Sequence, residues 1–389
     1  MTLTRGTVTL SVRTEITKLS VRVTVPPHSV IMPLVAHNNL PTFARLRDHG
    51  QVVLSAERAQ QQDIRELHIG LLNMMPDAAL TATEHQFIRL VGASNQIAQL
   101  YVYPFCIPEQ DRGSKAQAHI NEHYFEFSRL REQGLDALII TGANPVSPSL
   151  EEEPFWEPLI EIVRWAEQNV ASILCSCLAT HALLKFDHGV ERRRLPQKQW
   201  GVYNHQISHP EHPLIWEINT RFDAPHSRFN DISREQFEQA GLTVLANSDE
   251  AGVHLAVSAD QFRIIYFQGH PEYDAISLLK EYKRELLRYI DDVRDSEPRF
   301  PEHYFSTEAG NIASLFLEQA MSAKASGTAP PDFPDAALEQ LVDNTWGDTG
   351  KAIYNNWLGL VYQLTNLDRH KQFMEEVDPN DPLKLNQRA

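Results

Sequence analysis

Cys177 lies where an apolar run gives way to a helical pattern, a position suited to nucleophilic chemistry. Residues 173–175 have the length and apolarity of a buried strand, and Leu178, Ala182 and Leu183 have the spacing of one helical face. A thiol at such a turn faces the helix N-terminus, whose partial positive charge favours the thiolate. The turn resembles a nucleophile elbow with cysteine in place of serine. A lone cysteine is more often a small core residue, so the prediction of a nucleophile depends on finding a base.

His270 and Glu272 are the candidate base and its orienting partner. Residues 262–267 have the pattern of a strand that runs directly into Gly269-His270-Pro271-Glu272, which places His270 on the same rim of the sheet as Cys177. Side chains two apart in an extended segment point the same way, so Glu272 can reach the imidazole. A cysteine nucleophile needs such a base, and the base needs such a partner. The sequence therefore predicts a Cys177, His270 and Glu272 triad.

Backbone N–H groups next to Cys177 are the candidate oxyanion donors. Attack on a carbonyl carbon creates an oxyanion that needs hydrogen-bond donors in place. The N–H of Leu178 is one donor by its position after the nucleophile. The loop at 142–146 should supply a second, the N–H of Ala143, because Gly142 lets this loop approach closely.

Several basic residues are candidates for substrate binding. Three arginines at 192–194 and Lys198 form the most basic segment, which is either a solvated face or a site for the phosphates of a carrier. Residues 223–228 look irregular and carry Ser227 and Arg228, and Arg284 lies on a helix after His270. Either of the last two arginines could bind a substrate carboxylate through two parallel hydrogen bonds. The Cys and His spacings do not suggest a structural zinc site.

Composition excludes several classes of protein. The chain has 389 residues, 42% of them hydrophobic, which is enough for a large core. Its three cysteines have no paired spacing, as expected in a reducing compartment. A net charge of −16 argues against nucleic-acid binding. The longest apolar runs are too short to cross a bilayer, so we expect no membrane partner.

Alternating strand and helix patterns from residue 67 onwards predict an α/β fold. Such alternation with short loops gives a mostly parallel sheet with helices on both faces, and ligands then bind beyond the carboxyl ends of the strands. The predicted strands are 67–72, 97–103, 135–140, 173–175, 202–207, 242–246, 253–256 and 262–267. The predicted helices include 124–132, 155–168, 282–293, 313–321 and 353–364.

Three segments differ in composition from this central region. Residues 1–31 are expected to be an N-terminal extension: a hairpin, sequence ahead of a start at Met32, or a disordered arm, with the arm preferred to a transit peptide. Residues 294–340 are rich in Pro, Ala, Ser and Glu, and we expect a peripheral insertion that is flexible at 323–334. Residues 32–368 are then one catalytic domain and 369–389 a C-terminal tail.

Short motifs occur in a fixed order along the chain. They are LNMMP at 72–76, TGA at 141–143, SCLA at 176–179, GVY at 201–203, APHSR at 224–228 and GHPEYD at 269–274. Together they resemble the homoserine O-succinyltransferase and O-acetyltransferase family of methionine biosynthesis. The resemblance covers about residues 32–368, with an interruption near 300–340, and includes the end of the family at 346–368.

The resemblance implies both a fold and an activity. The family has a flavodoxin-like fold of the class I glutamine amidotransferase type and is dimeric and cytoplasmic. Its members acylate L-homoserine from an acyl-CoA without a metal or redox cofactor. Cys177 would carry the acyl thioester, His270 would accept the proton and Glu272 would assist it. The positions that match substrate-binding residues of the family are Lys198, Ser227 and Arg284, with Arg284 suited to the amino-acid carboxylate.

Two positions depart from the family pattern. Val146 falls where succinyl users carry Gly and acetyl users carry Glu. Because no acidic residue stands there, succinyl-CoA is the expected donor and acetyl-CoA the alternative. The lysine that usually follows Met75-Pro76 is replaced by Asp77-Ala78-Ala79. A glutamine amidotransferase or another cysteine hydrolase on the same fold, and a binding protein without activity, are the alternatives of other classes.

Overall fold

A computed structural model describes residues 34–94, 98–108 and 110–385. The predicted N-terminal extension at 1–31 lies outside the described residues. Within them, eleven strands form one sheet. The strands are β1 (Leu34–Ala36), β2 (Val53–Ser55), β3 (Glu66–Leu72), β4 (Gln99–Phe105), β5 (Ala137–Ile140), β6 (Ser172–Ser176), β7 (Arg193–Ile207), β8 (Arg221–Asp231), β9 (Thr243–Ser248), β10 (Gly252–Val257) and β11 (Ile264–Phe267).

Helices separate most of these strands. They are α1 (Pro41–Asp48), α2 (Ala56–Gln60), α3 (Asp77–Ser94), α4 (Ser114–His123), α5 (Phe127–Gln133), α6 (Trp156–Asn169), α7 (Leu178–His188), α8 (Arg234–Gln239), α9 (Ser277–Ile290), α10 (Thr307–Ser326), α11 (Asp335–Glu339) and α12 (Gly347–Leu364). Among the described residues, no helix combines the length and the apolarity that a bilayer crossing requires.

The sheet has a parallel part and an antiparallel part. Its strand order is β2-β1-β4-β3-β5-β6-β11-β10-β9-β7-β8. All neighbours from β2 to β11 are parallel, and β10, β9, β7 and β8 are joined to the sheet and to one another by antiparallel pairing. The predicted α/β class with a mostly parallel sheet is confirmed.

Both faces of the parallel part are buried. Along β6, Leu174 packs into one hydrophobic cluster, while Ile173 and Cys175 pack into another on the opposite face. Helices α1, α3 and α12 cover the first face, and α6, α7 and α8 cover the second. Strands buried on both faces are continuous apolar runs, which is why the sequence marked them clearly.

Several elements of the first half differ from the sequence prediction, which also lacks helices α1, α2 and α4. Strands β1 and β2 extend the sheet beyond the predicted set, and they were missed because each has three residues. The helix predicted at 124–132 is wrong in its first turn. Tyr124 ends α4 in an extended conformation, and the N–H of Phe125 donates to the carbonyl of Pro104, so α5 begins only at Phe127. Gly134 ends α5 with a φ of 74°, as predicted.

Residues 223–228 belong to a regular strand, contrary to the prediction of an irregular stretch. They lie in β8, which pairs with β7 and stands last in the strand order. Pro225 made this segment look irregular, because proline lacks an N–H and is excluded from central strands. At the edge of a sheet proline is tolerated. Ser227 and Arg228 therefore have fixed positions next to β7.

Residues 294–340 are packed against the catalytic part of the chain. Helix α10 buries Phe316 in a hydrophobic cluster with Leu286 of α9. Just before α10, the backbone of Glu302 exchanges hydrogen bonds with Trp200 and Val202 of β7 (2.8 and 2.9 Å). A Cβ on Gly201 would lie 2.2 Å from the Glu302 carbonyl oxygen, so glycine is required for this close approach. The segment therefore forms part of the wall above β7.

Candidate active site

The predicted strand-to-helix turn is present at Cys177. Strand β6 ends at Ser176, α7 begins at Leu178, and Cys177 between them has φ 53° and ψ −108°. Such positive φ values are uncommon for residues other than glycine and are found at sharp functional turns. The N–H of Cys177 donates to the carbonyl of Phe267 at the end of β11 (2.8 Å). The turn is thus held by the neighbouring strand with its side chain partly exposed.

The other two cysteines have different surroundings. Cys175 is fully buried in β6, and burial raises the pKa of its thiol well above the usual range. Burial also raises the pKa of Cys106 to about 11, although the Arg112 guanidinium nearby opposes the shift. Neither thiol is therefore a thiolate at neutral pH, and thiolate is the nucleophilic form of cysteine.

His270 and Glu272 reach the same rim as Cys177. Strands β6 and β11 are parallel neighbours in which Phe267 pairs with Ser176, so the segments that follow them emerge side by side. Nδ1 of His270 donates to Oε1 of Glu272 (2.8 Å), and Ser176 Oγ donates to the same oxygen (3.3 Å). The predicted contact between His270 and Glu272 is therefore present in the structure.

The charge on His270 is set by its two partners. Burial disfavours the imidazolium, but the charges of Glu272 and Cys177 outweigh burial and raise the pKa of His270. Nε2 of His270 is buried and has no hydrogen-bond partner among the described protein groups other than the thiol it neighbours. An imidazolium beside the sulfur is the arrangement that holds a cysteine as thiolate.

Three further elements fix the loop that carries His270. Its ring stacks on Tyr273, with the centroids 4.3 Å apart and the planes at 18°. The backbone N–H of His270 donates to the carbonyl of Pro225 in β8 (2.8 Å). Arg89 of α3 donates to the carbonyl of Glu272 (3.0 Å). The imidazole is thus oriented by strands and helices, as a preorganised base requires.

The loop after β5 lies against the elbow. A Cβ placed on Gly142 would be 3.6 Å from the Cβ of Cys177, which is ordinary van der Waals contact. In the described part of the chain, the N–H groups of Ala143 and Leu178 donate to no protein acceptor. Both N–H groups are therefore available to an oxygen atom bound next to the sulfur.

A buried carboxylate that the sequence analysis missed joins two of the predicted substrate residues. Oε2 of Glu281, on α9, accepts hydrogen bonds from Lys198 Nζ (2.8 Å) and Ser227 Oγ (2.7 Å), and Oε1 accepts one from Tyr273 (2.8 Å). Burial alone would raise the pKa of Glu281, but the Lys198 ammonium and the two hydroxyls outweigh it and lower the pKa. Its position three residues before Arg284, on the same helical face, was the signal available.

The two arginines considered for a substrate carboxylate differ in their availability. The Nη atoms of Arg228 donate to His226, to Asp231 (2.8 Å) and to the carbonyl of Ala251 (2.6 Å), so its guanidinium is occupied by the protein. Arg284 is half exposed at the rim and donates to Glu285 through Nε (3.0 Å), and its Nη groups have no hydrogen-bond partner among the described residues. Arg284 is therefore the one suited to a ligand.

The carboxylate of Glu153 holds the loop that carries Val146. Glu153 Oε1 accepts the N–H groups of Val146 (2.6 Å) and Ser147 (2.5 Å). The Val146 side chain is 88% exposed. The backbone at this position is thus fixed while the side chain projects freely.

Asp77, which stands where the family resemblance predicts a lysine, is the first residue of α3. It accepts hydrogen bonds from the N–H of Gly113 (2.7 Å) and from Arg112 (3.1 Å). The residues that follow it, Ala78 and Ala79, line the cleft. The start of α3 therefore presents two small apolar side chains to the cleft where a lysine was expected.

One cleft of about 1610 Å³ brings the predicted residues together. It is lined by every residue that the sequence analysis assigned to catalysis, oxyanion binding, substrate binding or donor choice: Ala143, Val146, Cys177, Leu178, Lys198, Ser227, His270, Glu272 and Arg284. Of the basic run, Arg192 and Arg194 line the cleft, whereas Arg193 is exposed and lies near Asp231 (3.5 Å). The cleft is large enough for a sizeable cosubstrate.

Three buried histidines next to the site have the composition of a metal site. Ligand atoms of His205, His226 and His254 lie within 4.8 Å of one another. Arg228 donates to Nδ1 of His226, so we assign the proton of that ring to Nε2, which donates to Nε2 of His205 (3.1 Å). Nδ1 of His205 in turn donates to the carbonyl of Tyr203 (2.8 Å). The lone pairs of His205 and His226 that a metal would need are thus used by hydrogen bonds, which leaves His254, whose Nδ1 has no partner among the described residues, as the only one of the three rings with a free nitrogen.

The sequence of this chain is similar to those of known enzymes. The family model for homoserine O-succinyltransferase matches residues 33–367. A homoserine O-succinyltransferase of Methylococcus capsulatus is 59% identical over 91% of this chain and 100% of its own length, and one of Methylobacter tundripaludum is 58% identical over the same shares. A solved glutamine amidotransferase of Methylobacillus flagellatus is 13% identical, with a TM-score of 0.39 over 81% of this chain and 99% of its own. The chain belongs to the homoserine O-succinyltransferase family.

Proposed function

We propose that this chain transfers the succinyl group of succinyl-CoA to the hydroxyl of L-homoserine through an acyl thioester on Cys177. The observation that carries the proposal is the placement of Cys177, His270 and Glu272 at one rim of the sheet, inside the cleft that also holds Lys198 and Arg284. The identity to succinyltransferases over the whole catalytic region supports the same assignment.

In the first half-reaction the Cys177 thiolate attacks the thioester carbonyl carbon of succinyl-CoA. A bond forms between Sγ and that carbon, and the carbonyl oxygen becomes an oxyanion next to the N–H groups of Leu178 and Ala143. Collapse of the intermediate breaks the bond to the CoA sulfur. His270 donates its Nε2 proton, so CoA leaves as the thiol and the enzyme keeps the acyl group.

In the second half-reaction the homoserine hydroxyl attacks the acyl-enzyme. Nε2 of the now neutral His270 takes the hydroxyl proton while the oxygen bonds to the acyl carbon. The bond to Sγ breaks and the thiolate of Cys177 is restored beside the imidazolium. Glu272 holds the ring through Nδ1 in both halves, so the same nitrogen faces the reaction each time.

Homoserine would be bound at the side of the cleft formed by β7, β8 and α9. The guanidinium of Arg284 suits the amino-acid carboxylate, because its side chain is exposed at the rim and its Nη groups have no protein partner among the described residues. Lys198 and Ser227 contact the substrate from positions fixed by Glu281. Tyr273 connects Glu281 to the ring of His270, so the substrate side and the base share one network.

The choice of succinyl-CoA over acetyl-CoA follows from the loop at 146. A glutamate at this position would repel the terminal carboxylate of a succinyl group, and Val146 carries no charge. Acetyl-CoA remains the alternative donor that the experiment must test.

The proposed reaction also bears on cofactors, oligomeric state and domain organisation. Acyl transfer through a thiolate needs acid–base groups, and none of its steps requires a metal or redox cofactor. We propose a cytoplasmic homodimer that binds neither nucleic acid nor membrane, with residues 32–368 as one catalytic domain, an insertion at 294–340 and a tail at 369–389.

The test is a product assay with purified protein, L-homoserine and either acyl-CoA. We expect O-succinylhomoserine by mass spectrometry and parallel lines in double-reciprocal plots, the pattern of a ping-pong mechanism. Intersecting lines would contradict the covalent route. Ammonia release from glutamine with no acyl transfer would replace the proposal by an amidotransferase function.

A further inference from the structure

A succinyl group differs from an acetyl group by a terminal carboxylate, and the residues assigned so far leave that carboxylate without a partner. Lys198 is held by Glu281, and Arg284 is assigned to homoserine. We propose that Arg192 binds the terminal carboxylate of the succinyl group carried by Cys177. This assignment rests on the proposed function and names the residue that distinguishes its donor.

Arg192 lies in the short connection between α7 and β7, on the acyl side of the cleft. Its side chain lines the same cleft as Cys177 and Val146, and it is partly buried there. Its charge acts on Cys177 and on His181, which follows one turn later in α7. Arg192 is therefore a cation in the neighbourhood of the atom that carries the acyl group.

The guanidinium of Arg192 has an unused donor. Its Nη1 is buried and makes no hydrogen bond within the described residues, nor does Arg192 form an ion pair there. A buried charged donor without an acceptor is unfavourable, and because this one lies at the cleft, a ligand bound there can supply the acceptor. By contrast, Arg294, also at the cleft, has both Glu285 and the carbonyl of Ser296 as partners.

Glu153 stabilises the charge of Arg192 from nearby without forming an ion pair with its guanidinium. Its carboxylate is one of the charges that favour the ionised form of Arg192, against the desolvation that lowers the pKa of Arg192. Its Oε1, however, is taken by the N–H groups of Val146 and Ser147. One carboxylate thus shapes the acyl loop and stabilises the arginine while the guanidinium donors stay free.

The chemistry of the two groups matches. A guanidinium offers two parallel N–H donors to a carboxylate, a geometry that a methyl group cannot use. An acetyl group gains nothing from Arg192, whereas a succinyl group gains a charged hydrogen-bonded contact. A glutamate at 146 would be a competing partner for the same cation, which fits the uncharged residue found at this position.

The experiment compares donors that share the CoA carrier and differ at the end of the acyl chain. Succinyl-CoA and butyryl-CoA have acyl chains of equal length, with a carboxylate or a methyl group at the end. The rate of acylation of Cys177 is measured for both by rapid quench and intact mass, in wild type, Arg192→Gln, Arg192→Lys and Arg193→Gln. Arg193 is the matched control, since it belongs to the same basic run and lies outside the cleft lining.

We expect Arg192→Gln to slow acylation by succinyl-CoA at least about thirtyfold, the usual loss when one partner of a buried charge pair is removed. Acylation by butyryl-CoA should change less than about threefold, Arg192→Lys should recover part of the loss, and Arg193→Gln should behave as wild type. An equal loss for both donors would assign Arg192 to the CoA phosphates or to the fold, and no loss would remove it from the site. Both results overturn the proposal.

Failure of the proposed function gives a different result. In that case wild-type protein itself would form no succinyl adduct on Cys177, whatever residue stands at 192. A wild-type adduct with unchanged donor selectivity in Arg192→Gln would leave the acyltransferase function in place and refute only the role of Arg192.

Discussion

The two parts of the sheet contribute different things to the cleft. The parallel part supplies the reacting groups, since Cys177 follows β6 and His270 follows β11, its parallel neighbour. The antiparallel part and α9 supply the polar side chains to which we assign substrate binding, with Lys198 from β7 and Ser227 from β8. In the proposed function the chemistry thus comes from strand ends, and the substrate contacts come from strand faces and a helix.

This difference teaches which features are general and which belong to this chain. Groups at the carboxyl ends of neighbouring parallel strands converge in any such sheet, so the triad follows from topology. No such rule brings together side chains on the faces of β7 and β8. Their side chains converge because Glu281 attracts them, and α9 must be packed for Glu281 to be there.

Removal of the nucleophile should have the largest effect. Cys177→Ala should lower turnover by about four orders of magnitude or more, as loss of a covalent nucleophile does. Cys106→Ala should retain turnover, because that thiol has a raised pKa and lies outside the cleft lining. Steady-state assays with both variants check this. Substantial turnover in Cys177→Ala would contradict the covalent route.

Removal of the base comes next. His270→Asn should lower turnover at least about a hundredfold, because positioned acid–base groups contribute on that scale. Glu272→Gln should cost less, since it keeps an acceptor oxygen for Nδ1 but loses the charge that raises the pKa of His270. Single-turnover rates for both half-reactions measure it. Near wild-type rates for His270→Asn would refute the triad.

In the substrate part of the cleft, Arg284→Ala should act on homoserine alone. We expect its KM to rise about thirtyfold, the scale of a lost charged contact with a carboxylate. The rate of Cys177 succinylation should stay the same, because the thioester does not touch this arginine. Arg234→Ala, at an exposed ion pair with Glu238 (2.7 Å), is the matched control. Equal effects on both substrates would count against the assigned role.

Glu281→Gln should have a smaller effect of the same kind. The amide keeps one acceptor but loses the charge that holds Lys198, so we expect the KM of homoserine to rise about tenfold. Acylation of Cys177 should be little changed, and Glu238→Gln serves as the control for the substitution. An unchanged KM would show that Lys198 is positioned without Glu281.

Val146→Glu should have the smallest effect and should concern the donor alone. A glutamate here would repel a succinyl carboxylate and compete for Arg192, so the ratio of kcat/KM for succinyl-CoA to acetyl-CoA should fall. Because the side chain is 88% exposed, solvent screening limits the change to about fivefold. Specificity constants for both donors measure it. An unchanged ratio would mean that this side chain does not face the acyl group.

The parallel part of the fold was predictable, because its strands are apolar runs and its loops follow a topological rule. The same rule predicted that Cys177, His270 and Glu272 lie together at one rim of the sheet, as they do in the structure. Residues 223–228 were misjudged, because Pro225 reads as a break unless the strand is known to lie at an edge. The sequence could not show which strand that would be.

The parts of the site that escaped sequence analysis depend on contacts between distant residues. Glu281 is an ordinary helical glutamate until three elements place Lys198, Ser227 and Tyr273 around it. Arg192 is one of three consecutive arginines, and burial of one Nη atom distinguishes it from its neighbours. Neither feature leaves a pattern along the chain, because both arise from tertiary packing.

The most direct test of the central claim is the mass of the protein after incubation with succinyl-CoA in the absence of homoserine. We predict a mass increase of one succinyl group, located on Cys177 by fragmentation of the peptide that also contains Cys175, and its loss as O-succinylhomoserine when homoserine is added. Product formation with no adduct at any time, or an adduct located on Cys106 or Cys175, would contradict the account.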